Sequence, residues 1–189
     1  MRLILASSSP RRQELLRAAG IWFTVSPANV AEEHRAGESP QAYSERLAGD
    51  KARAVWDVTA QDGNTFVLGA DTIVVVDEHI LEKPANSEDA ARMLNMLSGR
   101  THVVITSVCL MGRSIEDVRS ELTTVYVNAL SAGEIEEYVA TGEPMDKAGA
   151  YAIQGIASRW IPRIEGDYSN VVGLPVALVY RMLKERGAL

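Results

Sequence analysis

The 189-residue sequence lacks several features that would place it in common protein classes. Cys109 is the only cysteine, so no internal disulfide can form, which fits a reducing cytoplasm. No apolar run approaches the length of a membrane span, and the run Met1–Ala6 is too short for a secretory signal. We therefore expect a cytoplasmic protein without a membrane partner.

The sequence also lacks the excess of positive charge that nucleic-acid binding requires. Its formal net charge of −6 argues against a nucleic-acid polymer as partner but allows a nucleotide pocket with a few local cations. No internal repeat, low-complexity tract or linker divides the chain. We expect residues 1–189 to form a single domain, long enough for one core or for two small lobes around a cleft.

The most informative stretch that is present is Phe66–Val76, a predicted buried strand with one carboxylate in its apolar run. A carboxylate such as that of Asp71 is costly to bury unless another group compensates it. One interpretation is a structural aspartate that accepts backbone N–H bonds at a strand end. The other is a metal ligand or general base at a cleft. Gly69 and Ala70 favour the second, because two small residues let another group approach the backbone.

A second candidate site follows the first predicted strand, Leu3–Ala6. Ser9 suits the position before a helix and Pro10 suits its first turn. Serine hydroxyls, the N–H groups of the first turn and the guanidinium groups of Arg11 and Arg12 would then meet and could bind an anion. Alternatively, the Ser-Pro pair is only a common helix start and the two arginines are solvated.

Two charged residues between these stretches are open to two interpretations each. Glu32 lies in a polar loop that is either solvated surface or folded back towards a metal ion. Lys51 lies four residues after Leu47, at or beside the apolar stripe of a predicted helix. Its ammonium group either points at phosphate in a cleft or reaches water past apolar surface.

The second half of the chain adds a lysine and a glycine-rich segment. Glu82–Pro84 ends a predicted hairpin, because its proline cannot donate to a strand ladder, and this places Lys83 at a strand end near Asp71. Glu143–Gly155 is dense in glycine, alanine and charge, so we predict a loop that lets a ligand approach the backbone. Before this segment, Ser131–Glu134 is a predicted capping box that starts a helix, and after it a strand is predicted at Ile156–Ile164.

Together these elements predict a mixed α/β fold, with strand–helix units at both ends of the chain and hairpins in the middle. An acid, several cations and a helix N-terminus are the groups that metal-assisted phosphoryl or nucleotidyl hydrolysis uses. The residues alone therefore favour an enzyme that catalyses phosphoryl or nucleotidyl hydrolysis.

The sequence resembles the Maf family of nucleoside triphosphate pyrophosphatases. Six pieces in the family's order carry the resemblance and span nearly the whole chain: Ala6–Arg12, Arg46–Ala48 with Lys51–Ala52, Gly69–Thr72, Glu82–Pro84, Leu97–Gly99, and Asp146–Tyr151 with Ile153–Gly155. Each piece alone is common, whereas six in order are highly specific. The resemblance implies an elongated mixed sheet with flanking helices and two lobes around a cleft, as in inosine triphosphatases. It also implies a divalent metal cation, Mg²⁺ or Mn²⁺, and a homodimer.

The reaction implied by the resemblance is hydrolysis of a nucleoside triphosphate to the monophosphate and pyrophosphate. By match to the family's pieces, Asp71 is the proton acceptor that activates water, or a metal ligand. Glu32 matches the family's acidic loop position and would also bind metal. Arg12, Lys51 and Lys83 would hold the triphosphate.

The resemblance also implies which base is preferred. Arg11, Thr72 and Gln154 fall where the family's dTTP/UTP-selective branch has its specificity residues. A glutamine amide can pair with the O4/N3 edge of thymine or uracil, so we expect dTTP and UTP as substrates. The alternative is a nucleotide-binding regulator of cell division or septum formation. Asp71 favours turnover, because an acid beside a polyanion is of little use to a pure binder.

Overall fold

The computed structural model describes residues 2–59 and 63–189, which contain both strands and helices. The strands of this described part are β1 (Arg2–Leu5), β2 (Thr24–Val25), β3 (Thr65–Val76), β4 (His79–Leu81), β5 (Thr101–Gly112), β6 (Ile115–Tyr126) and β7 (Arg163–Glu165). Its α-helices are α1 (Pro10–Ala18), α2 (Pro40–Trp56), α3 (Ser87–Leu97), α4 (Ala132–Ala140), α5 (Tyr168–Val172) and α6 (Val176–Glu185). None of these helices combines the length and the apolar character needed to cross a membrane.

The strands form one mixed sheet in the order β2-β1-β3-β5-β6-β7, with β4 paired to β3. β1 is parallel to both β2 and β3, whereas β3 with β4 and β6 with β7 are antiparallel pairs. The parallel register sets Leu3 opposite Phe66 and Leu5 opposite Leu68. The mixed α/β class predicted from the sequence is confirmed.

The chain divides into two compact units, which we call unit 1 and unit 2. Unit 1 comprises Met1–Thr72, Thr106–Glu121 and Gly173–Leu189, and unit 2 comprises Ile73–Ile105 and Leu122–Val172. The boundaries fall within β3, β5 and β6, so these strands contribute residues to both units.

Unit 1 buries both faces of its first strand. Successive side chains of a strand point to opposite faces. Leu3 and Leu5 accordingly belong to one apolar cluster and Ile4 to another. Helices α1 and α6 supply side chains to the first cluster, and α2 supplies the second. The start of α1 is as predicted, since the Ser9 side chain caps the helix and Pro10 occupies its first turn.

Within unit 1, β3 lies very close to α2 because Gly69 has no side chain. A Cβ atom at this position would lie 2.2 Å from the carbonyl oxygen of Ala48 and 2.7 Å from the nitrogen of Ala52. The space beside this backbone, expected from the sequence, is therefore filled by a helix of the protein itself. Because Lys51 precedes Ala52 and Asp71 follows Gly69 by two residues, this close approach brings the lysine to the carboxylate.

Unit 2 packs α3 and α4 against its share of the sheet. Its apolar core includes strand residues such as Val74 and Val125, together with Leu94 of α3 and Tyr138 of α4. The start of α4 shows the predicted capping box, in which Ser131 and the third helical residue exchange hydrogen bonds.

The predicted strand Ile156–Ile164 is wrong over most of its length. A 3-10 helix occupies Ile156–Trp160, and β7 covers only Arg163–Glu165. Ala157 and Trp160 are the buried residues of this helix, and their spacing of three is the period of a 3-10 helix. A strand would have buried alternate residues instead.

The glycine-rich segment predicted as a loop contains two further 3-10 helices, Glu143–Asp146 and Ala148–Ala150. Gly149, in the second of these helices, packs against Val74 of β3. Its φ is +70°, and a Cβ atom there would lie 2.8 Å from Cγ2 of Val74. Its N–H donates to the carbonyl of Glu82 over 3.1 Å. Gly149 therefore serves internal packing of unit 2, and the expected access of a ligand to this segment stays a prediction.

Candidate active site

Unit 1 contains a cluster of three charged side chains, Glu32, Lys51 and Asp71. The ammonium nitrogen of Lys51 lies 2.7 Å from Oδ1 of Asp71 and 2.6 Å from Oε1 of Glu32. Asp71 is 5% exposed, whereas the side chain of Glu32 is 44% exposed. The lysine thus bridges two carboxylates and does not extend its ammonium group into water.

The cluster carries two negative charges against one positive charge. The second carboxylate oxygen of Asp71, Oδ2, is buried and has no hydrogen-bond partner among the described residues. A buried polar atom left in this state costs about 1–3 kcal/mol, and more when the group is charged. A structural aspartate would have both oxygens satisfied, so the geometry favours an additional cationic or donor group at Oδ2.

Oδ2 of Asp71 and the carboxylate of Glu32 are oxygen donors of the kind that a divalent cation uses. In the described part of the chain, no group of three or more histidine, cysteine, aspartate and glutamate side chains is arranged to hold a metal ion. Mg²⁺, however, is commonly held by one or two carboxylates, with water and substrate phosphates completing its shell. Two carboxylates therefore suffice for a cation that is bound together with a nucleotide.

The loop that carries Glu32 is held in place by Arg46 of α2. The guanidinium group donates to both oxygens of the Glu38 carboxylate, over 2.7 and 2.9 Å, and to the carbonyl of Glu33 over 2.9 Å. The hydrogen bonds from Arg46 lower the pKa of Glu38 to about 2. Sequence reasoning gave Arg46 no role. In the sequence, Arg46 stood out only because it belongs to Arg46–Ala48, one of the six pieces that carry the family resemblance.

Arg12 forms a second polar cluster in unit 1. Its guanidinium group donates to Oγ of Ser7 (3.1 Å), to Oγ1 of Thr72 (3.1 Å), and to the carbonyls of Ala70 (2.9 Å) and Gly173 (2.8 Å). These contacts connect the turn after β1 with β3 and with the segment before α6. Arg12 is therefore not a solvated arginine.

The hydroxyl of half-buried Thr72 has several protein partners. It accepts from Arg12 and lies 3.0 Å from Oγ1 of Thr106 on β5. Burial lowers the pKa of Arg12, and the negative charges of Asp71 and Glu32 oppose this effect. Thr106 was not identified from the sequence, because a single threonine in an apolar strand has no distinguishing pattern.

The structure therefore brings five of the eight candidate residues together, in two groups. Glu32, Lys51 and Asp71 are in contact with one another, and Arg12 contacts Thr72. Arg11 is half-buried in the first turn of α1. Lys83 and Gln154 are exposed residues of unit 2. Their roles towards a substrate stay predictions.

Comparison with known proteins gives one family. A family model described as Maf-like protein matches residues 2–186. A relative from Koribacter versatilis (strain Ellin345), named dTTP/UTP pyrophosphatase, is 61% identical over 189 residues, which are 100% of this chain and 96% of the relative. A relative of the same name from Symbiobacterium thermophilum is 53% identical over 185 residues, 98% of this chain and 94% of the relative. The structure of the Staphylococcus aureus Ham1 protein is similar at a TM-score of 0.49 and 12% identity, covering 98% of this chain and 100% of that one.

Proposed function

Because the chain belongs to the Maf-like protein family, we propose that it is a nucleoside triphosphate pyrophosphatase that hydrolyses dTTP and UTP to the monophosphate and pyrophosphate. The observation that carries the proposal is the bridge from Lys51 to Asp71 and Glu32, beside the buried and unsatisfied oxygen of Asp71. Such a carboxylate would repel a bound triphosphate, so it is of no use to a protein that only binds nucleotides. Hydrolysis, however, needs a base or a metal ligand, and the carboxylate supplies one.

The proposed chemical step is attack of water on the α-phosphorus. The water oxygen forms a bond to this phosphorus, the bond to the bridging oxygen of the β-phosphate breaks, and pyrophosphate leaves. One proton of the water passes to Oδ2 of Asp71, and the other stays on the oxygen that becomes part of the monophosphate. This oxygen can accept it without first losing a hydrogen bond to any described residue. Lys51 holds the other oxygen and so fixes the orientation of the carboxylate.

A divalent cation, Mg²⁺ or Mn²⁺, is part of the proposal, with Asp71 and Glu32 as the residues that would hold it. When bound, the cation would neutralise phosphate charge and polarise a phosphoryl oxygen. Asp71 would then act as a ligand, as an alternative to acting as the base. Both roles use the oxygen Oδ2.

Arg12, Lys51 and Lys83 are the proposed cations for the triphosphate. Arg12 already donates hydrogen bonds to four protein groups, so its contribution to phosphate binding would be chiefly its charge. Lys51 has an ammonium group with three donors, two of which face carboxylates.

Selectivity for the base is proposed to rest on Arg11, Thr72 and Gln154. The amide of Gln154 offers both a donor and an acceptor, which matches the O4/N3 edge of thymine or uracil. The hydroxyl of Thr72 contacts Arg12 and Thr106, so we propose that it acts by holding Arg12 in place.

The proposal extends to a cytoplasmic homodimer in which residues 1–189 act as one domain. The homodimer derives from the family resemblance, and the cytoplasmic location derives from the single cysteine. Sedimentation of the purified chain tests the dimer directly, since a monomer at micromolar concentration would contradict it.

A product assay tests the central proposal. Canonical and modified nucleoside triphosphates are incubated with the protein and Mg²⁺ or Mn²⁺, and the products are separated. We expect dTTP and UTP to react fastest and to give the monophosphate and pyrophosphate. Diphosphate and orthophosphate as primary products would refute the proposed bond cleavage. Binding of dTTP without turnover would support the nucleotide-binding regulator instead.

A further inference from the structure

The segment of unit 2 that carries Gln154 runs between two 3-10 helices, Ala148–Ala150 and Ile156–Trp160. Gln154 is exposed on it, whereas Tyr151, Ala152 and Ile153 are buried. A glutamine on a mobile segment would have to be ordered whenever it bound a base, which weakens binding. The contacts that hold this segment therefore bear on how well Gln154 can read a base.

Glu143 and Tyr138 hold the backbone on both sides of Gln154. The N–H of Ile156 donates to Oε1 and Oε2 of Glu143, over 3.1 and 3.3 Å. The N–H of Ala152 donates to the hydroxyl oxygen of Tyr138 over 3.3 Å. That hydroxyl in turn donates to Oε1 of Glu143 over 2.9 Å. The two residues form one connected support for the segment.

Gly155 is needed to let the Glu143 carboxylate come so close. A Cβ atom at position 155 would lie 2.3 Å from Oε1, 2.7 Å from Cδ and 2.8 Å from Oε2 of Glu143. The φ angle of Gly155 is −103°, which any residue adopts. This glycine is therefore required for space and not for its backbone conformation, and the space is filled by the carboxylate.

Glu143 and Tyr138 are themselves held by other groups of unit 2. The N–H of Glu143 donates to Oγ1 of Thr141 over 3.1 Å, and its carbonyl accepts from the ammonium group of Lys147 over 2.5 Å. Tyr138 is fully buried, and its ring packs edge-on against Trp160 with centroids 5.2 Å apart. A support held in this way can fix the segment in one conformation.

From these contacts we infer that Glu143, acting with Tyr138, is a positioning residue for base selectivity. It fixes the backbone around Gln154, so that the glutamine amide is already ordered when the base binds. The inference rests on the proposed function, because Gln154 reads a base only there. It predicts that selectivity between nucleotides, and not turnover in general, depends on the Glu143 carboxylate.

The test compares Glu143→Ala with Glu143→Gln and with Glu137→Ala, an exposed glutamate of α4 that serves as control. We expect Glu143→Ala to lower the preference for dTTP over dATP about 10-fold, mainly through KM for dTTP, as loss of preorganisation does. Glu143→Gln should restore most of the preference, because its carbonyl oxygen can accept both hydrogen bonds. Glu137→Ala should keep it fully.

A double-mutant cycle separates positioning from a general structural role. In a Gln154→Ala background, Glu143→Ala should cause no further loss of preference, because the residue that it positions is gone. A further loss in that background would overturn the inference. An equal loss for all nucleotides in the single variant would overturn it as well.

A second measurement needs no turnover. Hydrogen exchange at the amides of Ala152 and Ile156 should be faster in Glu143→Ala than in the wild type. If exchange is unchanged while the wild type is an active pyrophosphatase, the positioning inference is overturned and the proposed function stands. A wild-type chain without pyrophosphatase activity would instead refute the proposed function and the selectivity role with it.

If Glu143→Ala does not fold, Tyr138→Phe removes one hydroxyl only. Tyr138→Phe should speed hydrogen exchange at Ala152 and lower the preference for dTTP over dATP. If neither quantity changes, the positioning role is refuted.

Discussion

Unit 1 buries charged side chains, whereas unit 2 buries polar side chains that stay neutral. In unit 1, Asp71 is 5% exposed and pairs with Lys51, and its second oxygen has no partner in the described part of the chain. In unit 2, Nε2 of His102 lies 2.7 Å from the hydroxyl of Tyr151. Burial lowers the pKa of His102 to about 4 and raises the pKa of Tyr151, so both are neutral at pH 7.

The difference shows what each kind of burial is for. A buried charge is expensive, and replacing it with apolar groups often stabilises a protein, so stability alone does not explain why it is kept. A charge with one unsatisfied oxygen is better explained by a ligand that completes it. Neutral buried groups instead hold parts of unit 2 in place, since Tyr138 accepts from the N–H of Ala152 and Tyr151 contacts His102. Under the proposed function, the buried charges of unit 1 carry the chemistry, and the neutral groups of unit 2 position residues that contact the substrate.

The largest expected effect is on Asp71. Asp71→Asn keeps the shape of the side chain and can still accept from Lys51, so we expect the fold to survive. Turnover of dTTP should fall by about 10²–10⁴-fold, the usual contribution of a catalytic acid or base. Turnover, metal affinity and thermal melting are measured on the same sample.

The same variant separates the two proposed roles of Asp71. Loss of a metal ligand should weaken binding of Mn²⁺, whereas loss of a base should leave metal and substrate affinity nearly unchanged. A lower melting temperature with normal turnover in the folded fraction would make Asp71 structural. The comparison between the two units would then lose its basis.

The second effect concerns the stability of unit 2 in acid. Because the folded chain keeps His102 neutral down to a pKa of about 4, against 6.5 ordinarily, the unfolded chain binds more protons between these values. The contribution of His102 is therefore fully present above about pH 6.5 and is lost as the pH falls to about 4. The difference corresponds to about 3 kcal/mol. Urea unfolding between pH 4 and 7.5 measures it.

Replacing the histidine removes this dependence. His102→Gln should flatten the acid limb of the stability curve, although it costs stability at pH 7 through the lost contact with Tyr151. His79→Gln is the matched control, because His79 is exposed and should leave the curve as it is. If His102→Gln still loses the same unfolding free energy between pH 6.5 and 4, the buried neutral histidine does not cause the acid sensitivity, and this contrast between the units fails.

Local signals in the sequence predicted local structure well. Ser9-Pro10 predicted the start of α1, and the pair Ser131 and Glu134 predicted the start of α4, because a capping residue acts on its own first turn. Where the apolar pattern had no clear period, as at Ile156–Trp160, the prediction of a strand was wrong. The short helix Tyr168–Val172 was also missed, since a segment of this length has too few apolar positions to show a period.

The site was predictable as a set of residue types but not as a set of contacts. An aspartate in an apolar strand is visible in the sequence, and so Asp71 was found. Its contact with Lys51, 20 residues away, depends on the close approach of α2 at Gly69, which no local pattern encodes. The contact of Thr72 with Thr106, 34 residues away, depends likewise on how β3 and β5 are placed in the sheet.

The smallest expected effect tests a neutral hydrogen bond in unit 1. Thr106 is fully buried, and valine has nearly the same shape, so Thr106→Val removes the hydroxyl beside Thr72 without opening a cavity. We expect a loss of about 1 kcal/mol in the free energy of unfolding, the usual net value of one hydrogen bond. Thr124→Val on β6, where the threonine is half-buried, should change the free energy of unfolding by less than about 0.5 kcal/mol.

Because Arg12 keeps its contact with Thr72, turnover of dTTP should stay near normal in Thr106→Val. A fall in turnover comparable to that of Asp71→Asn would mean that the neutral groups of unit 1 carry the chemistry as much as its charges do.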